Sequence, residues 1–176
     1  CHRLASLHAD VPSFYHPLEE KIPFLPWMIF PYLALHPFFV SAFFLVKTRD
    51  ELDLLTRRIA VLYVVSAIVF VAIPLQVAFT RPTVDGVTGW HLSKLDIDPP
   101  FNQFPSLHVS LLFPIWSVLR ARLRGIAVIA LGLALALVAV STVFVYQHHS
   151  IDVIGGAILG ALVLRGTRPN PSERAQ

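Results

Sequence analysis

The sequence predicts an all-α protein, a polytopic bundle of membrane-spanning helices. Of the 176 residues, 55% are hydrophobic and only 14% are charged, whereas a soluble domain carries about 25% charged residues. The mean hydropathy is +0.65. Apolar runs also recur along the chain at about twenty residues, the length that a helix needs to cross the hydrocarbon core of a bilayer. These observations together indicate an integral protein of an inner or plasma membrane.

Five segments of the chain have the composition of a membrane span. Their bounds are 23–46, 58–79, 106–120, 125–146 and 148–165. The first contains four prolines, so we expect it to begin irregularly and to be kinked, and the second should bend near Pro74. The third is short for a span, whereas the fourth is uniformly apolar. The fifth contains Gly156 and Gly160 at the GxxxG spacing, which suits close packing between helices.

The basic residues are concentrated in three segments, 47–58, 120–124 and 165–174, which alternate with the other loops. Because short loops rich in arginine and lysine stay in the cytoplasm, these segments should share that side. The mixed charges of 47–58 also have the spacing of a helix that continues past the membrane surface. The loop 80–105 is rich in proline, glycine and aspartate, and we expect it to be an irregular but ordered lid. It should lie on the outward side, which is periplasmic, extracellular or lumenal.

This topology divides the chain into an outward-facing N-terminal segment at 1–22, a membrane-embedded domain at 23–165 and a cytoplasmic tail at 166–176. It also places two polar segments on the same outward side: residues 101–110, FNQFPSLHVS, and residues 141–156, STVFVYQHHSIDVIGG. Ionisable side chains at membrane depth are costly, and by default they indicate a functional site. The two segments can therefore meet and form one.

In the first polar segment, Ser106 follows Pro105 at the predicted start of a helix and can cap that helix. The free N–H groups of a helix N-terminus bind anions. Ser106 and His108 therefore stand where a phosphate could be held. For this segment taken alone, a purely structural interpretation stays open, with Ser106 as a cap and His108 as an interfacial side chain.

In the second polar segment, His148 and Asp152 are four residues apart, on one face of a helical turn. A carboxylate in that position can accept a hydrogen bond from one imidazole nitrogen and leave the other nitrogen nucleophilic. A capping aspartate beside an interfacial histidine is the alternative. His149 points about 100° away, and we interpret it as a bystander. Arg81 lies just after the second span and, beside two histidines, is a candidate clamp for phosphate oxygens.

The composition argues against several other functions. The only cysteine, Cys1, permits no internal disulfide and no cysteine metal cluster. Basic loops of a membrane protein account for the net charge of +3 without nucleic-acid binding. A divalent-metal site is an alternative, although the chain offers no closely spaced trio of ligands. Its ligands would be His91, His108, His148 and Asp152.

The polar segments resemble the type-2 phosphatidic acid phosphatase superfamily, in its integral-membrane branch. The family's motifs KxxxxxxRP, PSGH and SRxxxxxHxxxD are matched at Arg81-Pro82, at Pro105-Ser106-Leu107-His108, and at Ser141, His148 and Asp152. The spacing in the third motif fits to the residue, and the resemblance covers roughly 23–165. It implies a lipid phosphatase or phosphotransferase with six spans in the full-length chain, a lipid phosphate as substrate and no cofactor.

The resemblance also implies a role for each matched residue. His148 would attack phosphorus, and Asp152 would orient the imidazole and stabilise its charge. His108 would protonate the leaving alkoxide and later activate the acceptor, as in general acid–base and nucleophilic catalysis. The phosphoryl oxygens would be held by Arg81, Ser106 and Ser141.

Two positions depart from the family's motifs. The first-motif lysine falls at Pro74 and the third-motif arginine at Thr142, so one of three cations remains. A phosphodiester carries about one negative charge and needs fewer cations, which favours headgroup transfer slightly over hydrolysis. The segments FPSLH and QHHSID also resemble the inositol-phosphoceramide-synthase type more than the plain phosphatases. Replacement donors could be Lys94, Gln103 or Gln147. A catalytically weakened homologue that serves as a membrane binding or scaffold protein is the alternative.

Overall fold

The computed structural model describes residues 12–13, 16–95 and 103–167, and in this part of the chain all regular secondary structure is helical. The prediction of an all-α bundle is therefore confirmed. Two 3₁₀ turns, Pro17–Lys21 and Pro26–Met28, precede the first helix. The helices are α1 (Ile29–Leu33), α2 (Leu35–Leu45), α3 (Arg49–Ala72), α4 (Gly86–Leu95), α5 (Leu107–Leu119, continued by the 3₁₀ turn Arg120–Arg122), α6 (Ile126–Phe144) and α7 (Ser150–Gly166).

Three helical segments are long and apolar enough to cross a membrane: Pro26–Leu45, which includes α1 and α2, then α3 and α6. The predicted spans at 106–120 and 148–165 are present as helices, but α5 has 13 residues and α7 has 17. Both are shorter than the roughly 20 residues that a perpendicular span requires. The described residues thus support an integral membrane protein with three full-length spans and two shorter helices packed among them.

Prolines set the irregularities of the first two spans. The predicted kink lies at Ala34, where α1 gives way to α2. Pro37 has no N–H for the carbonyl of Leu33, and the Nδ1 atom of His36 lies 3.1 Å from that oxygen instead. The second span was expected to bend near Pro74, and this is wrong: α3 ends at Ala72, because a residue that precedes proline is driven out of the helical region.

The charged segment 47–58 does continue the second span, because α3 begins at Arg49. Thr48 caps it, with its hydroxyl oxygen accepting a hydrogen bond from the N–H of Glu51 at 3.2 Å. The loop 80–105 differs from the expectation of an irregular lid, since ten of its residues form α4. Residues 96–102 of that loop, most of the segment 1–22 and all of the tail beyond residue 167 lie outside the described part of the chain.

The basic segments lie together at one end of the bundle. Arg58 of α3 donates hydrogen bonds to Ser117 of α5 at 2.9 Å and to Thr167, just after α7, at 3.0 Å. Arg122 donates to the carbonyl of Leu45 at 2.8 Å. The segments 47–58 and 120–124 therefore share a side with the C-terminal end of α7, as the sequence predicts. We call this the arginine end. Arg168 and Arg174 lie outside the described residues.

The glycines of α7 bring it against α5, as the GxxxG spacing predicts. A Cβ atom on Gly156 would lie 2.4 Å from the carbonyl oxygen of Ser106, and one on Gly160 would lie 2.4 Å from the ring of Phe113. The hydroxyl of Ser110 lies 3.0 Å from the carbonyl oxygen of Gly156, so the helices also share a hydrogen bond. This contact fixes the N-terminus of α5 against the first turns of α7.

We expect Gly156→Ala to lower the thermal unfolding temperature of the detergent-solubilised protein. The added methyl meets the main chain of Ser106, which cannot rotate away, and overpacking of this kind costs about 1–3 kcal/mol. Gly132→Ala is the matched control, because its Cβ would lie 3.6 Å from the Trp116 ring, an ordinary contact. Equal unfolding temperatures for the two variants would show that α5 and α7 are not packed this closely.

Candidate active site

The two polar segments meet at the end of the bundle opposite the arginine end. The N–H of Ser106, at the N-terminus of α5, donates to the carbonyl oxygen of Asp152 in the first turn of α7, at 3.0 Å. Both residues are almost fully buried. The structure therefore brings together residues that the sequence separates by more than forty positions.

His148 is the last residue but one before α7, in a turn that several contacts hold. Its N–H donates to the carbonyl of Thr142 at 3.1 Å, and its side chain is buried. Tyr146, in the same turn, has a φ of 55°, the left-handed region that costs energy for a residue with a side chain. The Tyr146 hydroxyl donates to the carbonyl of Ile22 at 2.8 Å, and its ring stacks on Phe79 with centroids 4.4 Å apart. These contacts maintain the strained turn.

Asp152 lies beside the His148 ring but also caps α7. The Nδ1 atom of His148 is 3.6 Å from the Oδ2 atom of Asp152, slightly too far for a hydrogen bond. The same Oδ2 accepts a hydrogen bond from the N–H of His149 at 2.9 Å. Both interpretations of this aspartate therefore apply, because one carboxylate caps the helix and faces the imidazole. Within the described residues, His148 Nδ1 is buried and has no hydrogen-bond partner.

His108 lies in the first turn of α5 and faces the same region. Its ring stacks on Tyr32 with centroids 4.2 Å apart, and it hydrogen-bonds the main chain of Tyr32. In the described part of the chain its Nε2 atom is buried without a hydrogen-bond partner. His108 and His148 thus each have one buried nitrogen without a partner, and both lie at the end of the bundle where Ser106 contacts Asp152.

The two candidate serines are engaged in helix hydrogen bonds. Ser106 is the N-cap of α5, and its Oγ accepts from the N–H of Val109 at 3.3 Å, so the cap predicted from the sequence is present. This bond uses an oxygen lone pair and leaves the hydroxyl proton available. Ser141 lies within α6, is fully buried, and donates its proton to the carbonyl of Val138 at 2.7 Å. The described contacts do not join Ser141 to either histidine.

Arg81 is tied to the histidine turn through Gln147. Its Nη2 atom donates to the Oε1 atom of Gln147 at 2.9 Å, and Gln147 directly precedes His148. Gln103 is buried shortly before Ser106. Lys94, also considered as a donor, instead places its ammonium 5.1 Å from the centre of the exposed Trp90 ring on α4. Arg81 is therefore the cation that the structure attaches to this turn.

His149 is not the bystander that its helical position suggested. It is almost completely buried, with Nδ1 2.7 Å from the Oε2 atom of Glu19 and Nε2 accepting from the N–H of Ala78 at 3.1 Å. The Oε1 atom of Glu19 accepts from the N–H of Ser150 at 2.6 Å. We call this set, Glu19 with His149 and Ser150, the Glu19 clamp. Its glutamate comes from a 3₁₀ turn about 130 residues earlier, so sequence spacing gave no signal for it.

Burial of the Glu19 carboxyl raises its pKa, but hydrogen bonds from Ser150 and His149 outweigh that effect and hold the pKa below its ordinary value. Because Nε2 of His149 accepts a backbone N–H, its proton is on Nδ1, where it is donated to the carboxylate. The clamp therefore joins an anionic glutamate to a neutral imidazole. It fixes the start of α7, at Ser150, two residues after His148.

The described residues contain no group of three or more His, Cys, Asp or Glu that could hold a metal ion. The four ligands proposed from the sequence therefore do not come together in this part of the chain. His91, one of these four, lies on α4 and packs edge-on against Trp90 with centroids 4.7 Å apart.

Comparison with known proteins identifies the family. The family model of the PAP2 superfamily matches residues 55–174, from within α3 to beyond the end of α7, and this range includes Arg81, Ser106, His108, Ser141, His148 and Asp152 but not Glu19. No curated protein and no solved structure matches the chain. A match over more than half of the length shows the family, and the chain therefore belongs to the PAP2 superfamily.

Proposed function

We propose that this protein cleaves or transfers a lipid phosphate ester through a phosphohistidine formed on His148, at the outward face of the membrane. Members of the PAP2 superfamily act on phosphate esters as phosphatases or phosphotransferases. The observation that carries the proposal is the hydrogen bond from Ser106 to Asp152, which joins the two polar segments. His108 and His148 there each have a buried nitrogen with no partner in the described part of the chain. Buried polar atoms without a partner are rare. Nε2 of His108 can exchange a proton with a bound substrate, and Nδ1 of His148 faces Asp152.

The first step is attack by one nitrogen of His148 on phosphorus. A phosphorus–nitrogen bond forms as the bond from phosphorus to the lipid oxygen breaks, and His108 gives its proton to the leaving alkoxide. Asp152 orients the attacking ring by accepting the proton of the other nitrogen. Their present separation of 3.6 Å needs to shorten by about half an ångström, and such contacts often tighten when substrate binds.

In the second step, His108 removes a proton from the acceptor, whose oxygen attacks the phosphohistidine and releases His148. Water as acceptor gives free phosphate or a released headgroup phosphate, and a lipid alcohol gives a transferred headgroup. Arg81 offsets the charge of the phosphoryl oxygens, and Ser106 can donate the proton that its capping bond does not use. Ser141 gives its proton to Val138, so the proposal leaves it out of phosphate binding.

The small number of basic side chains near His148 favours a substrate of low charge. Thr142, where the family has arginine, is fully buried and donates to the carbonyl of Ala139 at 2.8 Å. Pro74, where the family has lysine, follows the end of α3. With Arg81 as the cation attached to the turn, a phosphodiester is better balanced than a monoester dianion. We therefore place headgroup transfer between lipids ahead of phosphatidic acid hydrolysis.

The test uses the purified protein in detergent with EDTA. One reaction contains phosphatidic acid, and a second contains a phosphodiester lipid with a labelled headgroup and diacylglycerol as acceptor. We expect label on the acceptor lipid and little free phosphate. Phosphate release from phosphatidic acid alone would overturn the transferase assignment and leave a phosphatase. Substrate binding without turnover in either reaction would contradict the enzymatic proposal and favour a binding or scaffold protein.

A further inference from the structure

The arginine end contains a cavity that the chemistry at the histidines does not use. It has a volume of about 640 Å³ and is lined by residues of α3, α5 and α7 and by the 3₁₀ turn that follows α5. Its charged lining groups are one carboxylate and four guanidinium groups, from Glu51, Arg58, Arg120, Arg122 and Arg165.

The charges of this lining do not balance. Glu51 is paired with Arg122. Over the described residues, Arg58, Arg120 and Arg165 form no ion pair with a carboxylate. Three guanidinium groups from three different chain segments thus face one cavity, and the described residues provide no carboxylate that pairs with any of them. The positive-inside tendency explains basic residues in loops, but it does not explain their convergence on a cavity between helices.

Arg58 gives the strongest indication of a bound anion, because only 8% of its surface is exposed. Its Nε and Nη1 atoms donate to the hydroxyls of Thr167 and Ser117, at 3.0 and 2.9 Å. Both acceptors are neutral, so they satisfy hydrogen bonds but do not compensate the charge. A buried cation without a counter-charge is costly. An anion in the cavity would remove that cost.

The rest of the lining identifies the kind of anion. Leu55, Trp116 and Leu164 give the same cavity an apolar side. A guanidinium binds phosphate oxygens in a bidentate fashion, and basic pockets between membrane helices suit phospholipid headgroups. We propose that this cavity binds the phosphate group of an anionic phospholipid as a bound ligand, at the end opposite the histidines and separate from the substrate. The inference does not depend on the proposed function.

The test is a titration of thermal stability in detergent with short-chain dihexanoyl phosphatidylglycerol. Dihexanoyl phosphatidylcholine, which has no net charge, and inorganic phosphate are the comparison ligands. We expect phosphatidylglycerol to raise the unfolding temperature at the lowest concentration of the three. Equal stabilisation by phosphatidylcholine would show that the cavity does not recognise the negative charge of the lipid. Equal stabilisation by inorganic phosphate would show that the cavity binds a phosphate group but not specifically a phospholipid.

The double variant Arg120→Gln/Arg165→Gln locates the site. A charge-assisted hydrogen bond from an arginine to a phosphate contributes about tenfold in affinity, so we expect the apparent affinity for phosphatidylglycerol to fall by more than about tenfold. Arg57→Gln/Arg124→Gln is the matched control, since both residues are exposed and lie outside the cavity lining. It removes the same charge, so equal losses in the two variants would show non-specific attraction and overturn the site. Both variants leave the buried Arg58 in place, and their unfolding temperatures without lipid check that folding is preserved.

Discussion

His148→Ala should abolish turnover of the phosphate ester, with a loss of more than about a thousandfold in kcat. Alanine has no nitrogen to form the covalent intermediate, and no other described imidazole shares its position beside Asp152. The turn itself should survive, because Thr142 and Tyr146 hold it through main-chain and hydroxyl contacts that do not involve the His148 ring. The measurement is single-turnover product formation, with unfolding temperature as the check on folding.

His108→Gln separates the nucleophile from the general acid. With a p-nitrophenyl phosphodiester, whose leaving group needs no proton, the first step should proceed in this variant. The second step should be slow because the acceptor is not activated. We therefore expect a base-stable, acid-labile phosphoenzyme to accumulate in His108→Gln and to be absent in His148→Ala. Label trapped on any residue other than His148 would refute the assigned nucleophile.

Glu19→Gln should give the largest loss of stability among single substitutions near the site. The carboxylate accepts from Ser150 N–H at 2.6 Å and from His149 Nδ1 at 2.7 Å. An amide has one acceptor oxygen, so one of these two buried donors would lose its partner. Breaking a buried hydrogen-bonded pair that includes a charge costs about 3 kcal/mol. Glu20→Gln is the matched control, since Glu20 lies on the same turn and is exposed.

The stability difference between wild type and Glu19→Gln should depend on pH in a defined direction. Because hydrogen bonds from Ser150 and His149 outweigh burial, the folded-state pKa of Glu19 is below its ordinary value. Such a group contributes stability above its unfolded pKa of about 4.3 and loses the contribution as the pH falls through the folded pKa. The difference should therefore be full at pH 7 and should shrink below about pH 4. A difference that does not change across this range would argue against an ionised clamp.

Measuring turnover distinguishes two roles of the Glu19 clamp, positioning of His148 and stabilisation of the fold alone. Because His149 and Ser150 directly follow His148, a loosened clamp should lower kcat of Glu19→Gln more than it changes KM. Glu19→Asp, which keeps the charge on a shorter side chain, should recover part of kcat. Unchanged kcat in a destabilised Glu19→Gln variant would show that the clamp stabilises the fold without positioning His148.

Composition and periodicity predicted the helical class and the location of every helix from α1 to α7 except α4. Gly86 to Leu95 lie in a loop rich in proline and glycine, and their ten residues are too few and too polar to be read as a helix. The length of the second span was also misjudged. The helix continues through the charges at 49–57, as expected, but it ends before Pro74, because proline disfavours the helical conformation of the preceding residue.

The site was predictable where it depends on local spacing and not where it depends on tertiary contacts. Spacing paired His148 with Asp152, and charge alternation placed His108 on the same side of the bundle. The role of His149 could not be deduced, because its partner Glu19 comes from a turn that nothing in the sequence connects to α7. Sequence reasoning also treated capping and contact with His148 as alternatives for Asp152. The structure shows that one carboxylate does both.

The shortness of α5 affects the route by which a substrate can reach His148. Its 13 residues rise by about 20 Å, against about 30 Å for the hydrocarbon core. With its arginine end at one headgroup plane, a helix of this length ends below the opposite plane unless the bilayer thins around it. Under the proposed function, a lipid substrate would therefore reach His148 from within its own leaflet.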